Sequence, residues 1–291
     1  MDQKVKVLLD TDLGSDIDDA LCLAYLLTEP RCELLGITTV SGDTQARAMI
    51  ADALCQSAGV EVPIYAGRRE VLLTGRGQPH VPQAEVLPEV PHRTEFPTDY
   101  LQFMQRTIRE NPGEVTLLAV GPMTNVGLLF AMDPELPKLL KRTVLMIGQF
   151  LTEGREWNAL VDPIASALVY HYAECLSIGL DVTRRCVISA EEAREKFTGP
   201  ILGTALKFAE IWFRQRDRIT FHDPLAATVI FEPDLCTYRD GHVTVEIADP
   251  AIEGTTYWSE NTNGNPHRIA VEVNPEAFFD HYFRTLSKAS S

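Results

Sequence analysis

Over the first two-thirds of the chain, short apolar runs alternate with longer stretches of helical periodicity. Val5-Lys6-Val7-Leu8-Leu9 reads as a strand, and Asp19 to Leu27 as the helix after it. Leu34 to Val40 reads as a second strand and Thr44 to Ala58 as a second helix. Val115 to Val120 is a further buried strand, followed by a helix from Asn125 to Met132. Thr143 to Ile147 is a strand, Asp162 to Ala173 a helix after a loop, and Ser177 to Val182 a strand again. Apolar strands separated by helices bury both faces of a sheet, which is the pattern of parallel pairing with helical crossovers. The expected fold is α/β, with a mostly parallel central sheet flanked by helices.

Other stretches break this rhythm. Glu70 to Thr98 is rich in Pro, Gly and His and weakly periodic, so it reads as a long loop of the kind that forms lids and binding loops. Past Phe208 the pattern shifts to helices, and Gly241 to Trp258 reads as a short antiparallel excursion. With no repeat, low-complexity tract or linker, the 291 residues are expected to form a single domain, 1–291.

Charge narrows the partners. A formal net charge of −15 repels phosphate backbones, which argues against nucleic acid and favours a small neutral or cationic substrate, or a metal ion. The six cysteines form no CxxC pair and sit mostly in apolar segments, as free thiols of a reduced compartment do. The first residues, MDQKVKVLLD, have no apolar signal core, and no apolar run reaches the length of a membrane span. These readings predict a cytoplasmic protein with no membrane partner.

The candidate chemistry lies in Asp10-Thr-Asp12-Leu-Gly14-Ser-Asp16-Ile-Asp18-Asp19-Ala, with five carboxylates inside ten residues. They follow the first strand, where open α/β sheets bind ligands. Packed carboxylates repel one another unless a cation neutralises them, and a hard divalent ion with oxygen ligands does so best. A helix cap needs one carboxylate rather than five. EF-hand spacing fails because its twelfth position would be Leu21, and G-x-G-x-x-G and P-loop motifs are absent.

This loop resembles the D-x-D-P-G-x-D-D-A signature of the inosine/uridine-preferring nucleoside hydrolase family, with Leu13 for Pro and two extra residues before Asp18-Asp19-Ala20. Further segments are similar in the same order: Ile37-Thr-Thr-Val-Ser-Gly42, Val120-Gly-Pro-Met-Thr-Asn125, Glu156-Trp-Asn158 with Asp162-Pro163, Gly179-Leu-Asp-Val-Thr183 and His222-Asp223-Pro224. The resemblance implies a nucleoside hydrolase-like, Rossmann-like open sheet. It also implies calcium-dependent hydrolysis of the N-glycosidic bond of a ribonucleoside, and a homo-oligomer, dimer or tetramer. It makes Asp12 the general base and a calcium neighbour. Asp19, Asp223 and the backbone carbonyl of Val120 become calcium ligands. Asp18, Glu156 and Asn158 become ribose-binding residues, with Asp223 beside them, and His222 a candidate proton donor to the leaving base.

Bottom-up chemistry agrees with these roles, because cleaving an N-glycosidic bond builds positive charge on the sugar that a carboxylate-lined pocket stabilises. Two departures fall on the sugar side. Asp43 stands where the family usually has Asn, and the stretch from Gly148 to Glu156 lacks the family's Asn. Asp43 is therefore expected to face the pocket, with capping of the next helix as its alternative role. Trp157 is expected in the core, and the Asn261-Thr-Asn263-Gly-Asn265 stretch in a solvated loop. Two other functions compete. One is a haloacid-dehalogenase-like phosphatase built on Asp10-Thr-Asp12, and the other a non-catalytic ribose-binding member of the same fold.

Overall fold

The computed structural model describes residues 4–260 and 266–288; the 261–265 stretch lies outside the described residues. The chain runs through β1 (Val5–Thr11), α1 (Asp18–Thr28), β2 (Cys32–Thr39), α2 (Thr44–Ser57) and the short β3 (Ile64–Ala66). A 3-10 turn at Pro82–Glu89 punctuates the long loop before α3 (Tyr100–Glu110). Next come β4 (Val115–Ala119), α4 (Thr124–Met132), α5 (Leu136–Leu139), β5 (Arg142–Leu145), α6 (Trp157–Val161), α7 (Pro163–Tyr172) and β6 (Cys175–Ser177). The last third holds α8 (Leu180–Thr183), β7 (Val187–Ser189), α9 (Ala190–Lys196), α10 (Gly199–Phe213), β8 (Arg218–Thr220) and α11 (His222–Thr228). It ends with β9 (Cys236–Val245), β10 (Thr256–Ser259), β11 (His267–Val273) and α12 (Pro275–Lys288).

The main sheet has the strand order β10-β9-β11-β6-β5-β4-β1-β2-β3. Pairing is parallel from β11 to β3, and β9 and β10 close one edge antiparallel. Side chains of β1 alternate between two cores. Val7 and Leu9 pack in one, with α1, α2 and α10, while Leu8 packs in the other, with α3, α4 and α7. Both faces are therefore covered, as a parallel sheet requires. No helix among the described residues is long and apolar enough to cross a membrane.

Two expectations need correction. Ser177 to Val182 is not a strand: β6 stops at Ser177 and Gly179 caps the short helix α8. The turn has a physical cause. Gly179 approaches Gly148 so closely that a Cβ would lie 2.6 Å from its carbonyl oxygen. Helical winding also lets Asp181 accept from the backbone N–H groups of Phe150 and Leu151, at 2.7 and 3.0 Å. The second correction is β11, a full strand of the main sheet that simple alternation hides. A bulge between Ala270 and Glu272 resets its period.

The strand order places a topological switch between β1 and β4. One connection leaves β1 toward β2 and the other leaves β4 toward β5, so a crevice opens beyond their carboxyl ends. The acidic loop follows β1 and Val120 follows β4, so both emerge into that crevice.

Candidate active site

The acidic loop reaches its shape through Gly14 and Arg47. Gly14 has φ of +108°, and a Cβ there would fall 2.5 Å from Val81 Cγ1, so only glycine fits. Arg47, on α2, is fully buried and donates to backbone oxygens on three segments. Its Nη1 reaches the carbonyls of Asp12 and Leu13, its Nε reaches Ser41 O at 2.7 Å, and its Nη2 reaches Gln78 O at 3.2 Å. One guanidinium thus ties the acidic loop, the end of β2 and the 75–80 loop together.

A cavity of about 640 Å³ opens at this point. Its floor is carboxylate: Asp12, Asp18, Asp19, Glu156 and Asp223 all line it and all are buried. The nominal cap of α1 is Ile17, which makes no side-chain cap, so Asp18 and Asp19 sit in the first turn with their carboxylates turned to the cavity. The positive end of the helix dipole favours them there. Asp18, Asp19 and Asp223 each bring a carboxylate oxygen within 4.8 Å of the others, an all-oxygen set that could hold a metal ion. Thr11 Oγ1 donates to Asp19 at 2.5 Å, and the Asp223 N–H donates to Asp18 at 3.1 Å. Asp12 accepts from Gln78 Nε2 at 2.6 Å.

Burial pushes the carboxyl groups of Asp12, Asp18, Asp19 and Asp223 above the ordinary Asp range; neighbouring carboxylates push Asp18, Asp19 and Asp223 further, and Arg47 opposes the rise at Asp12 and Asp19. Burial raises Glu156 and Asp16 to about 7. A group of acids this reluctant to ionise together favours a bound cation. Burial, helped by Arg184, lowers His222 to about 4, so its ring is neutral at pH 7.

The opposite wall is built from the loop after β5 and from α6. Glu156 caps α6, accepting from the N–H groups of Asn158 (2.7 Å) and Ala159 (2.9 Å), and also from Gly148 N–H (3.2 Å). The Asn158 amide donates to Val120 O at 2.6 Å and to Met146 O at 3.0 Å, bridging the ends of β4 and β5. His222 meets Thr183 Oγ1 through Nδ1 at 2.7 Å. Of the candidate residues, Asp12, Asp18, Asp19, Val120, Glu156, Asn158, His222 and Asp223 all line this one cavity.

Asp43 does not. It is exposed and caps α2, accepting from Ala46 N–H at 3.2 Å. Left-handed backbone at Ser41 and Gly42, φ of 71° and 66°, turns the chain outward just before it. Trp157 is also misplaced by sequence reasoning. It is 43% exposed, lines the cavity, and donates its indole N–H to Gln78 Oε1. Sequence reasoning missed Arg47, Gln78, Arg155, Arg184, Trp212 and Arg216, the last five of which line the cavity. The one available signal was the Pro- and Gly-rich character of the 70–98 loop, which supplies Gln78.

Asp10 faces away from all this. Thr38 Oγ1 (2.5 Å) and Asn125 Nδ2 (2.7 Å) fix its fully buried carboxyl between β2 and α4, outside the cavity. The phosphatase reading therefore loses its nucleophile.

Comparison with known proteins agrees with the geometry. The sequence model of the inosine-uridine preferring nucleoside hydrolase family matches residues 7–280. Uridine nucleosidase 1 of Arabidopsis thaliana is 30% identical, the match covering 97% of this chain and 93% of the relative. The pyrimidine-specific ribonucleoside hydrolase RihA of an Enterobacter species is 27% identical, with 98% of each chain covered. Among solved structures, a purine-preferring ribonucleoside hydrolase from Gardnerella vaginalis superposes with a TM-score of 0.85 at 23% identity, covering 98% of this chain and 99% of its own. A plant nucleoside hydrolase superposes with a TM-score of 0.84 at 24% identity, covering 97% and 98%.

Proposed function

The chain belongs to the inosine-uridine preferring nucleoside hydrolase family and is an N-glycosyl hydrolase, and from that premise we propose a calcium-dependent reaction at the acidic floor that releases base and ribose from a ribonucleoside. The observation that carries the reading is the group of carboxylates of Asp18, Asp19 and Asp223, with ligand atoms within 4.8 Å of one another, beside Asp12 and the Val120 carbonyl. Oxygen-only donors of this charge suit a hard cation such as calcium. Asp12, Asp19, Asp223 and the Val120 carbonyl would hold it. That carbonyl already accepts from Asn158, and a carbonyl oxygen keeps a second lone pair. When bound, the cation supplies electrostatic acidification of water.

The chain's own groups do the rest in this reading. Asp12 takes the proton from the attacking water, its other oxygen steadied by Gln78. Asp18 grips a ribose hydroxyl, and Glu156 and Asn158 hold the sugar from the far wall, so that C1′ faces the water. The carboxylate floor stabilises positive charge growing on the sugar. His222 is neutral at pH 7. With the Thr183 hydroxyl donating to Nδ1, its Nε2 carries the hydrogen and donates a hydrogen bond to the leaving base rather than a full proton. Six buried free cysteines fit a reduced, cytoplasmic setting.

The test is metal removal. Base release from nucleosides should disappear on complete chelation and return with added calcium. Full activity in verified metal-free protein would refute the calcium reading.

A further inference from the structure

The cavity changes sign from bottom to top. Its buried floor is carboxylate, while its exposed rim carries three guanidinium groups from three separate segments: Arg155, Arg184 and Arg216. Among the described residues none of the three ion-pairs with a carboxylate. Arg155 reaches only the Glu253 carbonyl, at 3.4 Å, and Arg216 only the Gln215 carbonyl, at 3.1 Å. The charge of Arg216 is felt at Asp16, but the two lie beyond ion-pair distance. Its immediate neighbours in sequence behave otherwise. Arg214 forms a forked pair with Glu85, at 2.7 and 2.8 Å, and Arg218 pairs with Asp217 at 2.8 Å. Of these three arginines within five residues, the two outside the cavity are paired with a carboxylate and the one that lines it is not. Arg216 also lies 5.5 Å from the Trp212 ring, on a second cavity-lining side chain that holds it in place.

Three guanidinium groups at one mouth repel one another, and with no carboxylate among the described residues within ion-pair distance their donors stay free for a ligand. Neutral nucleosides need only neutral donors. Guanidinium groups match phosphate and carboxylate, through paired N–H donors and full charge. We propose that the arginine rim is an anion subsite, and that the preferred substrate is a ribonucleoside carrying a negative group at its outer end. That group is either a 5′-phosphate or an ionised substituent on the base. The inference rests on the reading of the carboxylate floor as the ribose site, because that reading leaves the outer end of the substrate at the rim.

The experiment compares uridine, uridine 5′-monophosphate and orotidine, whose base bears a carboxylate, on the calcium-loaded full chain. Both kcat/KM and calorimetric affinity are measured. One of the two anionic compounds should exceed uridine by about tenfold or more, the scale of a charge-assisted hydrogen bond. The advantage should shrink with rising salt. It should collapse in the R184A/R216A double variant and persist in R214A, whose arginine lies outside the cavity. A winning monophosphate assigns the 5′-phosphate, and a winning orotidine assigns the base. Uridine equal to or better than both would overturn the proposal, as would a ratio unmoved by the double variant. If none of the three is cleaved, the hydrolase reading fails on these substrates, and the affinity order still decides the rim.

Discussion

The two ends of the central sheet each carry a depression, and they differ in kind. At the amino ends of β5, β6 and β11 lies the larger one, about 1090 Å³, lined by Lys138, Arg142, Glu174, Asp240 and Arg268 among others. Its charges are exposed, and several are already paired: Lys138 with Glu135 and Arg268 with Asp240. At the carboxyl ends of β1 and β4 lies the smaller one, lined by six carboxylates, five of them buried and all pushed up in pKa. Volume therefore does not mark the chemistry. What marks it is burial of like charges at the switch point, an arrangement that costs stability unless a ligand or cation offsets it.

Substitutions should separate the two ends sharply. The largest effect is expected at Asp12. Asp12→Asn keeps the side chain's shape and removes its proton acceptor, so kcat should fall by about 10² to 10⁴. A loss under about threefold with metal retained would take Asp12 out of that role.

Arg47 comes next, as the tie between floor and loop. Arg47→Met leaves carbonyls of Asp12, Leu13, Ser41 and Gln78 without their donor, in a fully buried place. Urea unfolding should show a loss of about 3–5 kcal/mol, because each buried acceptor left without a donor costs about 1–3 kcal/mol. A loss under 1 kcal/mol, on this approximate scale, would mean that the loops hold without it.

The acids themselves set a pH signature. Asp10, Asp16 and Glu156 are held up to about 7 by burial. Their folded pKa lies above the unfolded one, so the folded state holds protons more tightly between about pH 4 and 7. Metal-free protein should therefore be most stable near the acid end of that window and lose stability as pH rises through 7. Calcium should flatten the slope and add about 2.7 kcal/mol at a hundredfold excess over its Kd. Thermal melts at several pH values, with and without calcium, check this; a rising trend in the metal-free protein would contradict it.

The smallest effects belong outside the cavity. Arg268→Ala, at the far end of the sheet, removes an exposed ion pair and should cost no more than about 1 kcal/mol. Asp43→Asn exchanges one good helix cap for another, so stability should move by a few tenths of a kcal/mol at about the limit of detection. Its kcat/KM should stay within about twofold; a tenfold change would return Asp43 to the pocket.

Most strands of the sheet and the Asp12–Asp19 part of the floor were legible because each is local in sequence, while Glu156 and Asp223 were legible only through the family resemblance. Apolar runs of strand length announce β1, β2, β4 and β5. Five carboxylates within ten residues at the end of β1 announce the floor, although Asp10 itself is tied to Thr38 and Asn125 outside the cavity. Asp43 misled because position alone does not say which way a side chain turns, and the left-handed turn at Ser41 and Gly42 decides that. Trp157 misled because its neighbours Glu156 and Asn158 point inward, leaving the first residue of α6 outward against Gln78. The rim was invisible for a different reason. Arg155, Arg184 and Arg216 belong to segments that are brought together only by the fold, and a single arginine in a loop carries no signal of its own.

The most direct test of the account is a product assay on purified, calcium-loaded protein with a panel of purine, pyrimidine and anionic ribonucleosides, run beside Asp12→Asn. The account requires free base and free ribose, or ribose phosphate, in equal amounts from at least one compound, with the rate collapsing in the variant. Phosphate release without base, or base release that survives unchanged in Asp12→Asn, would contradict it.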